Sequence, residues 1–149
     1  MNQNPYDAPR ADGPPWQAQG AMSATTNRGP FILAAVGAWL ASAYWAALTL
    51  LIGLGAAIGT TSPAQIVLPC VLIVLYAVRG LQLFKGDPNA ARRILWLHGI
   101  GGLAAIVYMA SGGGFIVALQ GVKLLIHVFG GITAYLALRA AGVSFSGRR

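Results

Sequence analysis

The sequence predicts an all-α fold, a polytopic membrane bundle of four transmembrane helices with both termini cytoplasmic, and three observations carry that prediction. From Gly29 to Val78 fifty consecutive residues include no charged side chain. Apolar residues make up 56% of the 149-residue chain and charged ones only 9%, where soluble domains hold about 25% charged. Four apolar segments each approach the roughly 20 residues that a helix needs to cross the hydrocarbon core.

Taken in order, residues 1–29 set Pro5, Pro9, Pro14 and Pro15 among Asn, Gln, Gly, Ala and Ser. That composition buries too little apolar surface to fold alone, so the segment reads as a disordered cytoplasmic tail. The transmembrane domain then covers residues 30–140, with spans of about Phe31 to Ile58, Pro63 to Phe84, Pro88 to Ala110 and Phe115 to Leu138. Helices two and three should start at Pro63 and Pro88. Ser62-Pro63-Ala64-Gln65 has the form of a capping box with proline at the first helical position, and Asp87-Pro88 repeats the logic. Residues 141–149 form a short basic tail. The first apolar run is far longer than the roughly 7–15 residues of a signal peptide's core, so no cleaved leader is expected.

Orientation follows from the loops. Arg79, Lys85, Arg92 and Arg93 crowd the second connection, while Gly59–Ser62 and Ser111–Gly114 carry no charge. Basic loops stay on the cytoplasmic side, and Arg10, Arg28, Arg139, Arg148 and Arg149 agree with that side. Arg79, Lys85, Arg92, Arg93 and Arg139 are expected to meet lipid headgroups. The net charge of +7 is therefore a matter of topology, and nucleic acid is excluded as a partner.

Near the start, Asn4-Pro5-Tyr6-Asp7-Ala8-Pro9 resembles the Asn-Pro-Tyr-x-Ala-Pro lead of many uncharacterised small bacterial inner-membrane proteins with four helices. The resemblance covers six residues and implies a multi-pass protein of the bacterial inner membrane. It implies no chemistry.

At about 100° per residue, helix four gathers Gln120, Lys123, His127, Gly130, Gly131 and Ala134 on one side. Val122, Leu125, Phe129, Ile132 and Leu136 fall on the other. Helix three opposes His98, Gly101, Gly102, Ala105 and Met109 to Trp96, Ile100, Leu103 and Val107. The glycine-lined faces should look inward, because close backbone approach drives helix association in lipid. Counted inward from Arg93 and Arg139, the pairs Gly101-Gly102 and Gly130-Gly131 lie at similar depth and are expected to meet. Helix one repeats small residues at Ala34, Ala38, Ser42 and Ala46, with Gly55 and Gly59 as a further Gly-x-x-x-Gly. Pro69 should bend helix two near its outer end.

Lys123 is the charge placed well inside an apolar helix, and such residues are costly enough to be functional candidates. With Gln120 and His127 on the same face and His98 on helix three, it forms the candidate ligand-binding set. The competing reading has Lys123 reaching outward along its stem and the other three bonding across helices. A bis-histidine haem would need both imidazoles at one depth. His98 lies five residues from Arg93 and His127 twelve from Arg139, an offset of roughly 10 Å, so no haem is expected within one chain.

No other chemistry is visible. Cys70 is the single cysteine, beside Pro69, and Asp7, Asp12 and Asp87 are the three acids with no Glu, so no metal shell can be completed inside the membrane. The length is similar to that of small multidrug-resistance exporters, but their membrane-embedded glutamate has no counterpart. No Gly-x-Ser-x-Gly elbow or His-Glu-x-x-His occurs. The expectation is a non-enzymatic membrane accessory or scaffold protein with no cofactor, whose partners are the lipid bilayer and a membrane protein or a second copy of itself. The alternative is a small transporter or pore that binds an anionic or neutral solute around Lys123 and His127.

Overall fold

The computed structural model describes residues 27–143. The Asn-Pro-Tyr-x-Ala-Pro lead, and Arg148 and Arg149, lie outside the described residues. Four helices follow one another: α1 (Gly29–Ala57), α2 (Val67–Phe84), α3 (Pro88–Ser111) and α4 (Gly114–Ala140). Each is long and apolar enough to cross a membrane, α2 together with the turn Pro63–Ile66 that precedes it. The chain is a multi-pass, all-α membrane protein.

The helix ends are set by local chemistry. Gly59 (φ 79°) and Gly86 (φ 86°) adopt the left-handed conformation just beyond α1 and α2, which glycine reaches without a Cβ clash. The turn at Gly86 lets Gly86 N–H donate to the Leu83 carbonyl and Asp87 N–H to the Gln82 carbonyl, closing α2 as a Schellman cap. Asp87 then opens α3 at once, its carboxylate accepting from Asn89 N–H at 2.8 Å. Gly59 does the same for α1, and Thr60 and Thr61 fold back so that their hydroxyls donate to the Gly55 and Ile52 carbonyls.

Two expectations change here. Gly55 and Gly59 do not form a helix-packing motif, because α1 ends at Ala57 and the space beside Gly55 is filled by Thr60 and Thr61 of its own turn. The second span begins at Pro63 as a 3-10 turn and becomes α-helical only at Val67. Pro69 is thus the third residue of α2, in the first turn where its missing N–H costs little. The irregularity lies ahead of the proline.

The helices form two hairpins, α1–α2 and α3–α4, joined along an α1–α4 seam; α2 and α3 touch far less. The expected faces point inward. Lys123, His127, Gly130 and Ala134 of α4 are buried, as are His98, Gly102 and Ala105 of α3, whereas Phe129, Leu136, Trp96 and Leu103 are exposed. On α1 the buried set is Phe31, Ala34, Ala35, Gly37, Ala38, Ala41 and Trp45.

Burial is unevenly distributed along the bundle axis. The core cluster holds Phe31, Ala34, Ala38, Leu83, Ala91, Ile94, Ala137 and Leu138, all near the end that carries Arg28, Lys85, Arg93 and Arg139. Toward the other end no described residue is buried after Trp45 on α1, after Ala105 on α3, or before Lys123 on α4, and on α2 only Pro69 is buried before Tyr76. The uncharged half of the bundle therefore lacks a core of its own.

Candidate functional site

The centre of the bundle is built by an exchange of histidines for glycines. A side chain at Gly130 of α4 would collide with the His98 imidazole of α3, and one at Gly101 of α3 would collide with the His127 imidazole of α4. Each ring thus fills the notch that the facing glycine leaves. A Cβ on Gly37 of α1 would come within 2.8 Å of the Gly130 Cα, so α1 packs against the backbone of the same glycine. Gly101-Gly102 and Gly130-Gly131 do not meet, contrary to expectation. Each pair seats a histidine, with Gly102 and Gly131 at ordinary contact distance from His127 and His98.

This register brings the histidines together. His98 Nδ1 and His127 Nδ1 lie 3.0 Å apart, and the rings are 1% and 3% exposed. The expected depth offset of about seven residues shrinks to about three because Arg93 and Arg139 are not level, and the two side chains reach across the rest. The register that sets His98 against Gly130 and Gly101 against His127 puts Arg93 opposite Tyr135, about one turn deeper than Arg139. A neutral imidazole carries one N–H and one bare nitrogen, so a bond between two Nδ1 atoms requires opposite tautomers. One ring donates from Nδ1; the other accepts there and carries its proton on Nε2. The Tyr76 ring of α2 closes over both, its centroid 5.2 Å from His98 and 6.0 Å from His127.

An offset of less than one turn no longer excludes a haem, and the nitrogen geometry decides. Trans ligation by two imidazoles separates the nitrogens by about 4 Å, twice a metal–nitrogen bond of about 2.0 Å. Here the Nδ1 atoms bond to one another and each Nε2 lies over a glycine of the facing helix. The residues in this packing do not fit a bis-histidine haem. No group of three or more His, Cys, Asp or Glu that could hold a metal ion occurs among the described residues.

One turn from His127, Lys123 is only 5% exposed. Its amine sits 4.9 Å from the centroid of the Trp45 ring of α1, a cation–π arrangement. It does not reach outward to the headgroups. Tyr44 meets the Trp45 ring edge-on at 5.7 Å. Tyr44 Oη, Trp45 Nε1 and Gln120 Oε1 are buried and make no hydrogen bond among the described residues, and the same holds for Nε2 of both histidines.

The basic residues divide. Lys85, Arg93 and Arg139 are exposed, whereas Arg79 and Arg92 are half-buried, with Arg79 donating at 2.5 Å to the side-chain amide oxygen Oε1 of Gln82. Cys70 is exposed on α2, in an apolar groove with Val71, Val74 and Leu75. Tyr76, Trp45 and Gly37 are central residues that the sequence pattern alone does not single out. Gly37 was legible as a small residue between Ala34, Ala38 and Ala41, which share one helical face. Neither aromatic carried a signal of its central position. Comparison with family models, curated proteins and solved structures finds no match to this chain.

Proposed function

We propose that this chain is a non-enzymatic accessory or scaffold protein of a bacterial inner membrane, with both termini cytoplasmic, that works by packing against another membrane protein or further copies of itself. The observation that carries this reading is the one-sided core. The basic half is closed by side chains of this chain alone. In the other half Leu54, Ile58, Val67, Leu68, Val107 and Phe115 are all 60% or more exposed. Association in lipid depends on close van der Waals contact, and that half offers helix surface which the chain itself does not use. The buried polar groups support the same reading, since His98 and His127 serve to key α3 to α4.

The test is the mass of the full chain extracted in native nanodiscs, after cross-linking in intact membranes through single cysteines at Leu54 and Phe115 in a Cys70→Ala background. Discrete cross-linked species larger than the monomer are expected from these positions and not from Lys85. A chain that stays monomeric at every position refutes the proposal. Labelling of cysteines at Thr60 and Lys85 from the two sides should give opposite accessibility, with Lys85 reached from the cytoplasm. Equal labelling refutes the orientation.

A further inference from the structure

We propose that Lys123, Trp45 and Tyr44 form a binding site for a small oxyanion, a carboxylate or a phosphate, at the floor of the uncharged half of the bundle. Three independent observations meet there. The first is a buried cation with no counter-charge. Asp87 is the one acid among the described residues, and it caps α3 at the opposite end. Lys123 stands seventeen residues before Ala140, roughly 25 Å along the helix at 1.5 Å per residue. No carboxylate of the described chain can neutralise it.

The second is a set of unpartnered donors beside that cation. Trp45 is 9% exposed and its Nε1–H, a donor with no acceptor capacity, is buried without a partner, as is the Tyr44 hydroxyl. An ammonium, an indole N–H and a phenol O–H are all donors to an oxyanion, and bonds to an ionised acceptor are the stronger kind. Lys123 supplies charge, Trp45 a fixed N–H, and Tyr44 a rotatable O–H. Gln120, one turn outward on α4, adds an amide whose Oε1 is likewise unpartnered; its NH₂ can donate to the anion while that oxygen accepts from a protonated acid.

The third is position. Lys123 and Trp45 are the last buried residues of α4 and α1 before the core ends, so the site lies at the boundary between packed interior and uncovered helix. Access comes from the uncharged side. The histidine pair closes the other side with Tyr76, and as two neutral imidazoles it adds no charge to compete for the anion.

Two sources share this chemistry: a free solute, or the headgroup of an anionic phospholipid that bends inward, whose phosphate, unlike that of phosphatidylcholine, has no choline to neutralise it. The experiment separates them. The full chain is reconstituted in nanodiscs of phosphatidylcholine and titrated calorimetrically with benzoate and with inorganic phosphate. Its thermal stability is compared in nanodiscs with and without phosphatidylglycerol. A soluble occupant gives saturable binding of one of the two probes at one site per chain. Lys123→Met abolishes it, Trp45→Phe, which keeps the ring but loses the N–H, weakens it about tenfold, and Lys123→Arg retains it. A lipid occupant gives no solute binding but a stabilisation by phosphatidylglycerol that Lys123→Met removes and Lys123→Arg keeps. The inference is overturned if neither probe binds and phosphatidylglycerol affects wild type and Lys123→Met alike, with the helix content of the variant unchanged. It is equally overturned if binding survives Lys123→Met. Neither result bears on whether the chain assembles with a partner, which the cross-linking reads separately.

Discussion

Replacing Gly37 by Ala tests the central packing most directly. The added Cβ would lie 2.8 Å from the Gly130 Cα and 3.3 Å from Thr133 Oγ1, where carbon–carbon contacts settle at about 3.5–4.0 Å. The obstacle is backbone, so no rotamer change relieves it and α1 must move away from α4. Thr133 is fixed as well, its hydroxyl donating to the Phe129 and Gly130 carbonyls. Overpacking a well-filled core costs about 1–3 kcal/mol, and a backbone obstacle puts this site at the upper end. Alanine returns up to about 1 kcal/mol in helix propensity, leaving a net loss of about 2 kcal/mol, or roughly thirtyfold in the folding equilibrium. The reference variant is Gly99→Ala on α3, where an added Cβ meets nothing within 4 Å and only the propensity gain of up to about 1 kcal/mol remains. Unfolding by SDS titration in mixed micelles, followed by tryptophan fluorescence, should separate the two variants by about 3 kcal/mol. Equal stabilities would show that α1 and α4 do not meet backbone to backbone at Gly37.

Further outcomes follow from the same geometry. Gly80→Ala would drive a Cβ into the Trp39 indole, which is a side chain and half free to yield; the expected loss is about 1 kcal/mol, with a shift in tryptophan emission, and an unshifted spectrum counts against the contact. Lys123→Met removes a buried charge that no described carboxylate pairs, so without an anion stability should hold or rise in the same titration; a loss beyond about 1 kcal/mol would mean the amine has a protein partner. Asp87→Ala removes the cap of α3 and should cost about 1 kcal/mol, whereas Ser62→Ala, whose bond to Ala64 N–H is long at 3.4 Å, should cost less. Nitrogen-15 spectra of labelled histidine should show opposite tautomers for His98 and His127 with coupling between their Nδ1 nuclei, and two identical tautomers would exclude the bond.

How much of this was legible depends on whether a property belongs to one helix or to two. The inward faces of α3 and α4 were readable because 100° per residue is a property of a single helix, and Lys123, His127 and His98 fell on them. Register between helices was not readable, since it was counted from Arg93 and Arg139 as though both sat at one depth. Long basic side chains reach the headgroups from backbones a turn apart, so they mark a zone and not a level. That error separated the histidines by about seven residues in place of about three and matched the glycine pairs to each other instead of to the rings. Trp45 carried no signal of its place either, because an amphipathic aromatic suits the membrane interface and a buried amine equally. The helix boundaries were read to within a few residues because caps are local: Asp87-Pro88 is sufficient to start α3. Only the 3-10 turn at Pro63–Ile66 departs from the cap-and-proline pattern.

The position of Gly130 explains why the core is polar at all. In lipid, apolar side chains gain nothing by leaving the tails, so helices associate through close contact and hydrogen bonds. Gly130 meets both Gly37 of α1 and the His98 ring of α3, and His98 then bonds His127 one turn along α4. Three helices are thereby fixed against each other at one level by two glycines and two histidines. An apolar residue at position 98 would fill the notch but would leave α3 free to slide along α4, since nothing in a smooth hydrocarbon contact sets a level. The Nδ1–Nδ1 bond sets it. Lys123 stands outside that lock: it lies one turn beyond, against the Trp45 ring of α1 and where the core ends, a buried charge that no described carboxylate pairs, and it is on that unpaired charge that the proposed oxyanion site rests.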